Sequence, residues 1–408
     1  MEESTASPQG RSRSTSSIAR DIDFSTAPNH LYRDRQSLLK LTVSRETFLA
    51  RLGVAVRGAS TRAPVPSLAG VLLRVDDGTA ELQATDMELG VRVAVDTTDS
   101  SPGQAVVPGR LLLDVVRSLP KDDLTLEYRS AEQDVEVVSG PAKFHLRTLP
   151  TEDFPKLPEA PAEGSITVPA GAFVDTIARV ARAASRDETR PHLTGVLVTA
   201  SGSELRMVAT DSYRLGVKET KLDSELSGSL EANVPARTLQ ELGRIASAGG
   251  AETIAVAALE NQVVFTVDDI VLSSRLVEGR FPNYQQLLPE SYEHELRVSR
   301  DELLEVVRRV GLLAQKNAPL RLRFSEGALD VSAQTPDVGE ASESLPVPFA
   351  GEPLEIGFNP EFFREGLESA ESEELLLKLI SPLRPGLIQS GDEGAGFRYL
   401  VMPIRLNV

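Results

Sequence analysis

From residue 39 onward the hydrophobic positions follow two periodicities in a fixed order. Val71–Val75, Glu81–Ala84 and Val91–Val95 alternate apolar and polar residues with a period of two, the mark of half-buried strands, and Leu124–Tyr128 and Val135–Val138 repeat the pattern. Other stretches have the helical period, as where Leu303, Val306, Val307 and Val310 fall on one face. Helix starts are marked too. Ser44 precedes one amphipathic stretch, and Ser299 with Glu302 has the form of a capping box, in which a hydroxyl and a carboxylate satisfy backbone N–H groups reciprocally. Pro108, Pro235 and Pro360 each open a further stretch and are expected in a first helical turn, where a missing N–H costs nothing. Two helices beside many hairpin-like strands predict an α+β fold.

The same order recurs three times. The helix opening at Val43 (Val-Ser-Arg-Glu-Thr-Phe-Leu) returns at Val168 and at Val298. Ala84-Thr-Asp-Met-Glu-Leu-Gly-Val returns 125 residues later as Ala209-Thr-Asp-Ser-Tyr-Arg-Leu-Gly-Val. Val107-Pro-Gly-Arg returns 127 later as Val234-Pro-Ala-Arg, with Phe358-Asn-Pro-Glu as its third version. A period this long makes each unit a domain rather than a solenoid turn. The expected divisions are a disordered tail over 1–38, rich in Ser, Thr and Arg, and domains over 39–160, 161–292 and 293–408. The tail has no apolar core of a secretory signal, and its acidic residues argue against a transit peptide, so an inert extension or an over-called start is expected.

Composition narrows the chemistry. With 41% apolar residues the chain can bury a large core, and no apolar run is long enough for a membrane helix. Cysteine is absent, which excludes disulfides and thiolate metal sites and suits a cytoplasmic protein. The four histidines are scattered, no phosphate-binding Gly-x-x-x-x-Gly-Lys loop exists, and no cofactor is implied. The recurring Thr85-Asp86 and Thr210-Asp211 pairs suit Asx turns. The enzymatic alternative, a metal-dependent hydrolase with Asp86 or Asp211 as base, would show as metal-dependent turnover.

A net charge of −17 speaks against nucleic acid only if the charge is evenly spread. It is not. The six expected helices, 44–57, 108–118, 170–186, 235–245, 299–316 and 360–369, sum to +5 and leave −22 for the rest. Weakly positive helices beside an acidic remainder could hold phosphates without reading bases. For any one arginine, a solvated helix face explains the charge equally well.

The tripled unit, Phe281-Pro-Asn-Tyr with Leu288-Pro289, the Ala-Thr-Asp-x-x-Arg-Leu string at 209–215 and the terminal Tyr399-Leu-Val-Met-Pro-Ile-Arg-Leu406 together resemble the bacterial DNA polymerase III β subunit family, the sliding clamps, over roughly 40–408. The resemblance implies three tandem DNA-clamp domains and a non-enzymatic homodimeric ring. The ring would encircle duplex DNA without sequence preference and hold the polymerase III α subunit, the clamp loader and other clamp-binding-motif proteins. It implies a peptide pocket of Leu193, Thr210, Arg214, Leu215, Pro282, Leu287, Asn359, Leu400, Met402, Pro403, Ile404 and Arg405, with Tyr213 beside it. Met402 would bring a deformable side chain suited to many partners. Leu287 and Leu400 stand where other clamps often carry Val. The wall Leu400–Arg405 lies near the chain end, and removing Met402 and the residues after it is expected to abolish peptide binding and leave a folded dimer. Arg62, Arg110, Arg117, Arg186 and Arg237 match DNA-facing positions, and Phe144 with Leu312 and Leu313 of the other chain matches the dimer interface. The third repeat carries Glu361 and Arg364 instead, so its second helix is expected to add little to DNA. An adaptor of tripled domains that never encloses DNA is the remaining alternative.

Overall fold

The computed structural model describes residues 39–406 apart from 63–64, 77, 121, 162–163, 316–317 and 393; the tail 1–38, expected to be disordered, lies outside the described residues. Each third supplies two long helices: α1 (Arg45–Ala55) and α2 (Gly109–Ser118), α3 (Ala170–Val180) and α4 (Ala236–Gly249), α5 (Arg300–Gly311) and α6 (Pro360–Ser369). The Ser44 hydroxyl accepts from the Thr47 N–H at 3.1 Å, and the Ser299 hydroxyl from the Glu302 N–H at 3.4 Å. Asn359 caps α6, accepting from Glu361 and Phe362 at 2.9 and 3.1 Å. Only Pro360 stands in a first helical turn. Pro108 and Pro235 sit one position earlier, as extended N-cap residues that also end the strands Gly103–Pro108 and Leu230–Pro235. A ring-locked φ and a missing N–H suit a strand terminus as well as a helix start.

Each helix buries residues three or four apart: Phe48 and Leu52, Leu112 and Val116, Phe173 and Ile177, Leu239 and Leu242, Leu303 and Val307, Phe363 and Leu367. Burying one such side chain is worth about 1.5–3 kcal/mol, and this seam of contacts binds the helices to the sheets.

The sheets do not stop at the repeat boundaries. A five-stranded sheet belongs to the first third and a four-stranded sheet to the last, but two eight-stranded sheets cross from one third to the next. At the first seam Leu89–Val95 pairs antiparallel with Ile270–Arg275; at the second, Arg214–Lys221 pairs with Phe397–Val401. The helices form a layer in parallel with this. α1 packs on α2, α3 on α4 and α5 on α6. Arg57 joins Glu241 of α4 at 2.9 Å, and Arg182 and Arg308 both reach Glu368 of α6 at 2.9 Å. The helix pairs are thus tied to one another across both seams, as the sheets are. None of the described helices is long and apolar enough to cross a membrane.

Candidate functional site: a groove at the second seam

Thr210 and Asp211 set the local geometry. The Asp211 carboxylate accepts from the N–H groups of Tyr213 and Arg214 at 2.9 and 3.0 Å, and the Thr210 hydroxyl donates to the Arg214 carbonyl at 2.6 Å. Ser212 is thereby held at φ +80°. The first third repeats the turn: Asp86 accepts from Glu88 and Leu89 at 3.1 and 2.8 Å, with Met87 at φ +79°. The second oxygen of each aspartate is also taken, by Arg237 at 2.6 Å in Asp86 and by Arg214 at 3.1 Å in Asp211. These carboxylates fix turns and hold arginines, which removes the motive for a hydrolase reading.

Arg214 is buried at 7% exposure. Its guanidinium bonds Asp211 and Glu365, donates to the Arg182 carbonyl at 2.7 Å and to the Tyr399 hydroxyl at 3.2 Å, and lies 4.2 Å from the centre of the Phe362 ring. Burial pushes the Tyr399 hydroxyl well above its ordinary value, beyond what Arg214 offsets. Arg214 borders the groove, but its charge is spent inside the seam, fastening the middle third to the last. It is not available to frame a ligand.

Beside this cluster opens a cavity of about 340 Å³. Its floor is the cross-strand pair Leu215–Leu400, both buried. Thr210 borders it, Met402 forms a rim at 42% exposure, and the Met402 N–H is held by the Tyr213 carbonyl at 2.8 Å. The linker contributes Gln286, Leu287 and Pro289, and the loop after Glu374–Leu379 contributes Leu383, Arg384 and Pro385. The sequence reading missed Ser212, Gln286, Pro289 and this loop. The available signal was Leu383, an aliphatic residue between two prolines, which stands 60% exposed.

Several expected pocket residues lie elsewhere. Leu193 is buried in the short turn Pro191–Leu193, where its carbonyl accepts from Ser185 at 2.8 Å. Asn359 is occupied as a helix cap, and Pro282 lines a separate cleft with Phe281 and Asn283. Tyr213, 59% exposed, flanks the rim. Pro403 and Arg405 lie outside the cavity lining, and Ile404 is tied by its N–H to the Gly357 carbonyl at 2.8 Å. That bridge also corrects the expectation of a dispensable chain end. Phe397–Val401 is the seam strand itself, and the residues after it are anchored to the last third.

Most helix arginines are paired, as Arg51 is with Asp269 at 2.6 Å. Among the expected DNA-facing residues, Arg62, Arg110 and Arg186 are exposed and make no ion pair among the described residues, Arg117 is 3.7 Å from Asp114, and Arg237 holds Asp86. Phe144 is half-buried on the edge strand Ala142–Arg147; Leu312, 70% exposed, and half-buried Leu313 follow α5.

Three copies of a two-helix, sheet-backed unit, fused edge to edge with an apolar groove at one seam, define a tandem-domain DNA clamp. Models of the DNA polymerase III beta subunit match throughout: the N-terminal domain over 39–158, the central domain over 167–283 and the C-terminal domain over 285–405. The chain is 33% identical to the beta sliding clamp of Streptomyces coelicolor over 378 residues, covering 90% of this chain and all of that one. It is 34% identical to that of Synechococcus elongatus, again over 90% of this chain and all of the relative. A Pseudomonas aeruginosa sliding clamp solved bound to griselimycin superposes with a TM-score of 0.82 at 29% identity, covering 90% of this chain and the whole of that one. The chain belongs to the DNA polymerase III beta subunit family, whose members are non-catalytic sliding clamps of DNA replication.

Proposed function

We propose that two copies of this chain close head to tail into a ring around duplex DNA, and that the groove at the second seam captures short linear peptides. The peptides would come from the polymerase III α subunit, the clamp loader and other DNA enzymes. The observation that carries the docking is the solvent-open apolar groove over Leu215 and Leu400, rimmed by Leu287, Leu383 and Met402. A few polar groups, Thr210 and Gln286 among them, give a bound peptide orientation. The helix layer and the loops beside it, with Arg110 exposed on α2 and Arg62 and Arg186 exposed on loops, face the phosphates, while the acidic remainder discourages side-on binding.

A peptide with a Gln followed by spaced Leu and Phe should bind with a low-micromolar dissociation constant, ~8 kcal/mol of free energy. Calorimetry decides the docking, and absence of heat at millimolar peptide rejects it. Retention on nicked circular DNA, with loss on linear DNA, tests encirclement against an adaptor that only touches the duplex.

A further inference from the structure

The two seams are built alike, residue for residue. Thr85 faces Gly90 within its hairpin as Thr210 faces Leu215, and across the seam Gly90 faces Ser273 as Leu215 faces Leu400. Arg275 donates its N–H to the Glu88 carbonyl at 3.0 Å as Met402 donates to Tyr213 at 2.8 Å. Where the second seam has its groove of about 340 Å³, the first has a remnant of about 120 Å³ between Met87, Gly90, Ser273 and the linker residues Pro155, Leu157 and Pro158.

What fills the difference is the linker. At the first seam the two floor leucines are replaced by Gly90 and Ser273, and the Leu157 side chain lies over them. A Cβ built on Gly90 would stand 2.7 Å from Leu157 Cδ2 and 2.5 Å from the Ser273 hydroxyl oxygen. The linker that delivers Leu157 is short: Phe154 to Pro158 has four residues fewer than Phe281 to Pro289. The longer linker uses its extra length for the turn Tyr284–Leu287 and leaves Leu287 at the rim; the shorter one is drawn across the strands, with the Leu157 carbonyl accepting from Arg92 at 3.4 Å.

We propose that the first seam is a second copy of the docking groove, plugged from within by Leu157, and that the plug confines peptide docking to one groove per chain. The unplugged groove takes the same class of ligand, an apolar side chain on a short extended peptide. It holds it more weakly, because Glu88 and Arg275 stand where the open groove has Tyr213 and Met402. The inference rests on the docking reading of the second seam.

Calorimetry with the Gln-Leu-Phe peptide on the full chain tests it. Wild type and Leu157→Met, which keeps the plug, should each bind one peptide per chain, whereas Leu157→Ala should bind a second at least about tenfold more weakly. One site in all three proteins overturns the plug and leaves the docking reading standing; no binding to wild type overturns the docking reading instead. A peptide-independent measurement covers that second case. Gly90→Val should expel the linker and speed hydrogen exchange at the buried Phe154 amide, which donates to the Thr151 carbonyl at 3.1 Å, by about tenfold or more, without changing exchange in the strand Gly70–Asp76. Unchanged exchange at the linker would show that Leu157 does not hold the seam shut.

Discussion

The turns of Asp86 and Asp211 were legible in the sequence because they are local, each aspartate accepting from N–H groups two and three residues ahead, whereas the bond from Arg237 to Asp86 spans 151 residues and left no such trace. Arg214 was not legible either, because its principal partners, Glu365 and Tyr399, come from the last third of the chain. Arg214→Met should therefore cost about 3–5 kcal/mol in urea denaturation, since it leaves Asp211 and Glu365 buried without their cation. A loss below about 1 kcal/mol would mean that water or relaxation replaces the guanidinium. Met402 is the opposite kind of residue, exposed and joined to the fold by its backbone. Met402→Ala should leave the melting temperature unchanged while weakening the peptide about tenfold, ~1.4 kcal/mol. A change in melting temperature with unchanged affinity would assign Met402 to the fold rather than to the groove.

At the scale of elements, α1 and α5 follow from their serine caps, α2, α4 and α6 from the prolines at their starts, and α3 from the repeat, whereas strand pairing across the seams left no such trace. Hydrophobic alternation shows that a strand exists, not which edge it meets. One shared word misleads. Leu-Gly-Val at 89–91 and at 215–217 looks like the common feature of the hairpins, but the register equates Gly90 with Leu215 and Leu89 with Arg214. One position of slip separates a groove floor from a plug site. No periodicity marks the irregular loop 381–385 as a groove wall, and Leu383 between its prolines was the one available sign. The ion pairs of the helix layer make a prediction about acid. Burial alone would raise the Glu368 carboxyl, but hydrogen bonds from Arg308 and Arg182 outweigh it and hold the group below its ordinary 4.5. A depressed folded-state value means that the stabilisation is complete above the unfolded value and is lost as pH falls through the folded one. Thermal melts of wild type and Glu368→Gln should therefore differ most near neutral pH and converge as pH falls below 4.5 and through the depressed folded-state value. A constant difference across that range would mean that the carboxylate's charge is not what joins α6 to α5 and to the turn after α3.

At the scale of the molecule, the edge strands of the four sheets include Ala142–Arg147 in the five-stranded sheet of the first third and Gly339–Pro346 in the four-stranded sheet of the last. Unpaired edges invite another chain. The first carries Lys143, His145 and Arg147, all exposed, and the second carries Glu340 and Glu343. Opposite charge favours joining the first edge of one copy to the second edge of another, and two such joints close a ring if the rotation allows it. Leu312, the most exposed large apolar side chain among the described residues, stands beside the second edge; Leu313 packs near Gly339 and belongs partly to its own fold. Leu312→Glu is therefore the cleaner variant. It removes an apolar contact and sets a carboxylate near Glu340, the one of the two glutamates that Arg309 does not already hold, so light scattering should show a monomer of near 44 kDa in place of a dimer. The melting of each sheet should be retained, because the side chain is solvated in the single chain. If the variant still runs as a dimer, the two edges do not meet in this way. If wild type is itself a monomer at micromolar concentration, closure depends on DNA or a loader, and the variant must then be compared on circular DNA. There Arg62→Ala, Arg110→Ala and Arg186→Ala, combined in a chain that still dimerises, should lower the salt slope of association by about one for each phosphate no longer neutralised, while peptide affinity stays as it was. Loss of ring closure with an intact salt slope, or the reverse, would separate the two edges from the helix layer as independent parts of one clamp.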